Sequence, residues 1–91
     1  MASIAVMFKI DASNVVPSLH QAGEKLDSAN GQMVLDFSGV RRIDSAGLAA
    51  MEELAGLAAR KSAKLALRGV NVDVYKVFKL AKLASRLSFL S

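Results

Sequence analysis

The 91-residue chain has no cysteine and no tryptophan, one histidine, one proline and only 5% aromatic residues. Without cysteine there is no disulfide, no thiolate nucleophile and no cysteine-held metal. The lone histidine, His20, has no carboxylate or serine beside it in an evident relay, so it forms neither a general base nor a ligand set. The six glycines are scattered and make neither a GxGxxG nor a Walker pattern, which argues against a phosphate-cradling loop. No apolar run approaches the roughly 20 residues that cross a bilayer. The opening MASIAVMFKID also lacks the basic leader and long apolar core of a signal peptide. These absences lead us to expect a cytoplasmic domain with no catalytic residues, no metal and no cofactor.

What is present suits one small folded unit. Apolar residues make up 53% of the chain and charged residues 22%, far from the composition of a disordered chain. The length allows one domain, residues 1–91, of modest stability. The net charge of +4 permits an anionic partner without selecting one.

Apolar periodicity sets the element order. Ile4 to Ile10 is a run of strand formers that Asp11 ends. The segment DASN then offers caps for a helix over about Val15–Leu26, with Pro17 in its first turn. SANG breaks the chain, and MVLDF (33–37) reads as a second strand. SGVRRIDS is a loop with Ile43 turned inward. Ala46–Ala59 follows as a helix, with Leu48, Met51, Leu54, Ala55 and Ala58 at three- and four-residue steps. KLALR (64–68) alternates as a strand, Gly69 turns the chain, and Asn71 caps a last helix over about Val72–Leu83. A short apolar tail, LSFL, closes the sequence. This β-α-β-α-β-α order predicts an α/β fold with a mixed, mostly parallel sheet covered by about three to four helices.

The chemistry concentrates at Asp44-Ser45-Ala46-Gly47-Leu48, where a loop enters the long helix. Either Asp44 or Ser45 serves as a helix cap, worth roughly 1 kcal/mol. Capping does not call for Gly47, which costs about 1 kcal/mol against alanine in a helix. Small residues there would leave the helix end bare for a partner. A phosphoryl group on Ser45 would be stabilised by the helix N-terminus, and it would place nearly two negative charges on a small neutral surface.

The stretch VLDFSGVRRIDSAGL, the helix after it, and LALRGVNVDVYKVFKLAKL together resemble a STAS domain of the anti-sigma-factor antagonist type, from about Ile10 to Leu90. The D-S-x-G-L block at the mouth of a helix carries most of the resemblance. It implies a protein that binds an anti-sigma factor, itself a serine kinase, while unphosphorylated, and is switched off when the serine after the aspartate is phosphorylated. That serine is Ser45, with Asp44, Ala46, Gly47 and Leu48 as partner-binding neighbours and Asp11 and Asn14 on the same rim. The resemblance also implies that the family's N-terminal strand is missing, which would open a sheet edge to weak self-association. The GVN-x-x-VY-x-x-x-KL pattern at 69–80 is similar as well to the small STAS subunit of a phospholipid-transporting ABC system, whose partner is an ATPase.

The last helix carries Lys76, Lys79, Lys82 and Arg86. They read as a solvated face over a buried stripe, or as a patch for anionic lipid or acidic protein. Direct nucleic-acid binding is not expected, because aromatic interleaving is sparse.

Overall fold

A computed structural model describes residues 6–28 and 31–90. Four strands, β1 (Val6–Lys9), β2 (Gln32–Asp36), β3 (Lys64–Arg68) and β4 (Ser88–Leu90), alternate with three helices, α1 (Val15–Glu24), α2 (Ser45–Arg60) and α3 (Val72–Leu80). Short 3₁₀ turns at Leu26–Ser28 and Ala84–Arg86 complete the connections. The strands lie in the order β1-β2-β3-β4, and every pairing is parallel. The mostly parallel sheet is thus found, and no antiparallel strand of the expected mixed sheet lies among the described residues: β2, β3 and β4 are each reached through a helix, which returns the chain to the same end of the sheet. The apolar tail is itself the fourth strand, with Leu67 beside Phe89 and Arg68 beside Leu90. β1 pairs only with β2 and forms one edge among the described residues. The first two residues of the expected first strand, Ile4 and Ala5, lie outside them, as does any question of a further N-terminal strand.

Strand alternation separates the two faces of the sheet. Met33 and Leu35 of β2 and Leu65 and Leu67 of β3 share one buried cluster with Leu19 and Ala22 of α1, Met51, Leu54 and Ala58 of α2, and Val74 and Phe78 of α3. All three helices thus cover the same face. Val34 and Ala66 point the other way and stand outside this cluster, although they too are buried. On that side Arg68 of β3 reaches across β2, bringing its guanidinium 4.0 Å from the Met7 sulfur of β1. Phe37, just after β2, and Phe78 meet edge to face with ring centroids 6.0 Å apart, tying α3 to the sheet.

Both long connections out of helices end without glycine. After α2 the chain turns through Ser62 at φ 54°, and Ala63 N–H reaches back to the Ala58 carbonyl at 2.8 Å. After α3 it turns through Lys82 at φ 61°, with Leu83 N–H on the Phe78 carbonyl at 2.9 Å. These are paired six-to-one closures that satisfy carbonyls left over at a helix end. They stop α3 at Leu80, three residues before the end expected from periodicity.

Candidate functional site

The sequence left two candidates for the cap of α2, and the structure assigns it to Asp44. Its carboxylate accepts a 2.8 Å hydrogen bond from Gly47 N–H, and its carbonyl accepts one of the same length from Leu48 N–H. Ser45 is the first helical residue, is exposed, and its hydroxyl has no hydrogen-bond partner among the described residues. The local fold therefore does not use the Ser45 side chain. Ala46 is exposed beside it.

Gly47 has a packing role that the sequence did not reveal. It is buried, and a Cβ added there would stand 2.8 Å from Ile43 Cγ1. The half-buried Ile43 folds under the start of α2, and only glycine leaves room for it. Gly47 thus shapes the surface from beneath, while half-buried Leu48 packs on the core.

The second wall of the site is the turn from β1 into α1. The Asp11 carboxylate accepts hydrogen bonds from Ser13 N–H at 2.9 Å and from the Ser13 hydroxyl at 2.7 Å. Asp11 N–H donates to the Ser18 hydroxyl oxygen at 3.1 Å, which satisfies this buried serine. The Ser13 bonds favour the ionised carboxylate and hold Asp11 below the ordinary aspartate range, with smaller contributions from the Asn14 side chain and the charge of Lys9. The sign follows: the turn is supported above the ordinary aspartate value and loses that support as pH falls through the lower folded-state value. Asn14 stands at the N-cap of α1, is exposed, and makes no side-chain cap bond; its side chain instead helps to hold the Asp11 charge.

Helix packing brings the two walls together. Asn14 and Pro17 from the α1 side and Arg42, Ile43 and Asp44 from the loop before α2 line one cleft of about 390 Å³. Ala12 belongs both to this cleft and to a neighbouring hollow with Lys9, Ile10, Asp11 and Gly39. Asp11, Asn14 and Asp44 thus lie along one continuous rim, and Ser45 follows at its end. Arg42 was missed in the sequence because RR within a polar loop carries no periodic signal.

Asn71 positions the loop that carries this rim. Its carboxamide oxygen accepts from Val74 N–H at 2.8 Å, capping α3, while its nitrogen donates to the Arg41 carbonyl at 2.9 Å. We expect Asn71→Ala to cost about 1–2 kcal/mol in urea unfolding. Asn71→Asp keeps the cap acceptor and loses the donor, so it should recover cap stability while amide exchange across residues 38–44 stays fast. Slow exchange in both variants would show that Arg41 is held by something else.

His20, which the sequence left without a neighbour, shares an apolar groove of about 470 Å³ between α1 and α2 with Glu24 and Glu53. No hydrogen bond joins them among the described residues. Among those residues no three His, Asp or Glu side chains are grouped to hold a metal ion, and no helix is long and apolar enough to cross a membrane.

Residues 9–90 match a family model described as Mlab, STAS domain. Two solved structures of the TM1081 protein from Thermotoga maritima are similar in fold. Its crystal structure, described as that of a candidate anti-sigma factor antagonist, superposes with a TM-score of 0.72 at 18% identity, covering 100% of this chain and 75% of that one. The NMR structure gives 0.72 and 18%, with 93% and 72% covered. No curated protein sequence matches the chain closely enough to count as a relative. The matched span takes in β2, β3 and β4, the three helices and the Asp44–Leu48 helix start, and on that ground the chain belongs to the STAS domain family.

Proposed function

We propose that this chain is an anti-sigma-factor antagonist: a cytoplasmic STAS domain, residues 1–91, that binds a serine-kinase anti-sigma factor while unphosphorylated and is released by phosphorylation at Ser45. The observation that carries the reading is the division of labour at α2. Asp44 makes the cap, which leaves Ser45 exposed with an unused hydroxyl at the first helical position. A phosphoryl group added there meets the free N–H groups and positive dipole end of a sixteen-residue helix. It disturbs no existing hydrogen bond, so the modification changes the surface and not the fold. Its charge of nearly two, next to Asp44, would repel an acidic partner face. Asp11, Asn14, Asp44 and Ala46 would form the contact around it, with Gly47 and Leu48 supporting them from below. The chain itself performs no chemistry in this scheme; the kinase belongs to the partner.

The family description Mlab favours a second reading, in which the domain docks on the ATPase of a phospholipid-transporting ABC system. Ser45 would then sit in a permanent contact and remain unmodified. Paired baits separate the two. Wild type and Ser45→Asp, both folded by circular dichroism, are used to capture partners from native lysate, followed by titration of the partner. We expect wild type alone to retain a kinase-fold ATPase, and Ser45→Asp to bind it at least tenfold more weakly, about 1.4 kcal/mol. Equal affinity of the two baits would remove Ser45 from the mechanism, and recovery of an ABC ATPase by both would select the second reading.

A further inference from the structure

α3 presents a face to solvent that the fold does not need. Val74 and Phe78 point into the core, so helical periodicity puts Val72, Lys76 and Leu80 on the opposite stripe, with Tyr75 and Lys79 beside it. Leu80 is 85% exposed and Val72 67%. Neither serves the helix ends: Asn71 caps the start, and the closing turn is tied by Leu83 N–H on the Phe78 carbonyl, with both side chains in the buried core. Tyr75, 38% exposed, stacks edge-on against Phe89 at 5.0 Å, and Leu90 next to it is 47% exposed. Four of the five exposed large apolar side chains among the described residues therefore belong to α3 and β4.

The charge on this part of the molecule has one dominant sign. Asp73 is the only acidic residue after Glu53, whereas Lys76, Lys79, Lys82 and Arg86 all follow Tyr75. None of these four has a carboxylate partner among the described residues. The surface thus combines protruding aliphatic tips with unpaired cations carried on long, partly apolar stems. An acidic protein would have to supply a pocket for each protruding tip as well as the carboxylates. A fluid anionic interface accepts both without preformed shape, since acyl chains take the aliphatic tips and headgroups take the ammonium groups.

We infer that the outward face of α3, centred on Val72, Lys76 and Leu80 with Tyr75 and Lys79 at its side, docks on the surface of an anionic lipid bilayer. The contact is peripheral and reversible. It depends on salt, because each lysine near an anionic surface strengthens partition by about fivefold and this attraction is screened within a Debye length. The surface is distinct from the Ser45 rim, so the inference stands independently of the proposed function.

The chain's own tyrosine provides the probe. Tyr75 is the only tyrosine and there is no tryptophan, so its emission reports on this face alone. The full chain is mixed with vesicles of equimolar phosphatidylglycerol and phosphatidylcholine, with pure phosphatidylcholine as the reference. We expect pelleting with the anionic vesicles only, and quenching of Tyr75 emission when their acyl chains are brominated. Lys76→Gln and Lys79→Gln should each weaken binding about fivefold, and Leu80→Asp should abolish it. Ser45→Asp should bind as wild type. All these positions are exposed, so the melting temperatures should match and losses report docking. Absence of anionic-vesicle binding, equal binding by Leu80→Asp, or binding without Tyr75 quenching would overturn the inference. Capture by polyglutamate in place of vesicles would also overturn it and assign the face to an acidic protein.

Discussion

Phe37→Ala is expected to remove about 3–5 kcal/mol of unfolding free energy, the largest effect of any single truncation we anticipate. The side chain is fully buried and meets Phe78 edge to face, so truncation loses both transfer energy and an aromatic contact. The site cannot close over the cavity cheaply because its backbone is held on both sides. Phe37 N–H donates to the Arg68 carbonyl and its own carbonyl accepts from Val40 N–H, both at 2.9 Å. A domain of this size has a total stability of about 5–14 kcal/mol, so a large share would go. With about 4–8 °C lost per kcal/mol, the melting temperature should fall by about 12–40 °C. Phe37→Leu, which keeps most of the volume, should cost under about 1.5 kcal/mol. A loss below about 1 kcal/mol in the alanine variant would mean that α3 repacks onto the sheet without the ring.

Gly69→Ala should cost about 3 kcal/mol although it adds a single methyl group. Gly69 holds φ +71°, which costs an L-residue about 1–2 kcal/mol. An added Cβ would also lie 2.9 Å from Ser38 Cα and 3.0 Å from Ser38 N, and overpacking adds about 1–3 kcal/mol. The obstacle is backbone, so no rotamer change relieves it. Moving Ser38 would break its N–H bond to the Asp36 carboxylate, a bond that helps hold Asp36 below the ordinary aspartate range. The strain would pass into the loop leading to Asp44 and Ser45. Chemical-shift changes should therefore extend from residue 38 to residue 47, alongside the loss measured in urea. Shifts confined to residues 68–70, with unfolding unchanged, would show that the turn at Gly69 has room for a methyl group.

The three helices and three of the four strands were legible because each has a periodic apolar signal long enough to repeat. Leu48, Met51, Leu54, Ala55 and Ala58 mark α2 by spacing alone, and KLALR marks β3 to the residue. β4 was not legible: Ser88–Leu90 is too short to show alternation, and only pairing with Ala66, Leu67 and Arg68 makes it a strand. The end of α3 was hidden because Lys82, and not a glycine, takes the left-handed turn after it; the α2 end was read to within one residue although Ser62 does the same. At the candidate site, Asp44, Ser45 and Gly47 could be singled out as unusual at a helix start. Their separate roles could not be assigned, since capping by Asp44 and the seat of Ile43 against Gly47 depend on distances of 2.8 Å.

By itself the sequence determined the class of the domain, its α/β order and the absence of cysteine chemistry, because these follow from composition and local spacing. Only the tertiary structure decided that every described strand pairing is parallel, with the helices on one face. It alone set Asn14 and Arg42 in one cleft with Asp44, tied Asn71 to Arg41, and left Ser45 unused while Leu80 and Val72 stand exposed. The reason is physical. Periodicity encodes which residues leave water, whereas the partner each one meets depends on how helices and strands distant in sequence settle against a shared core.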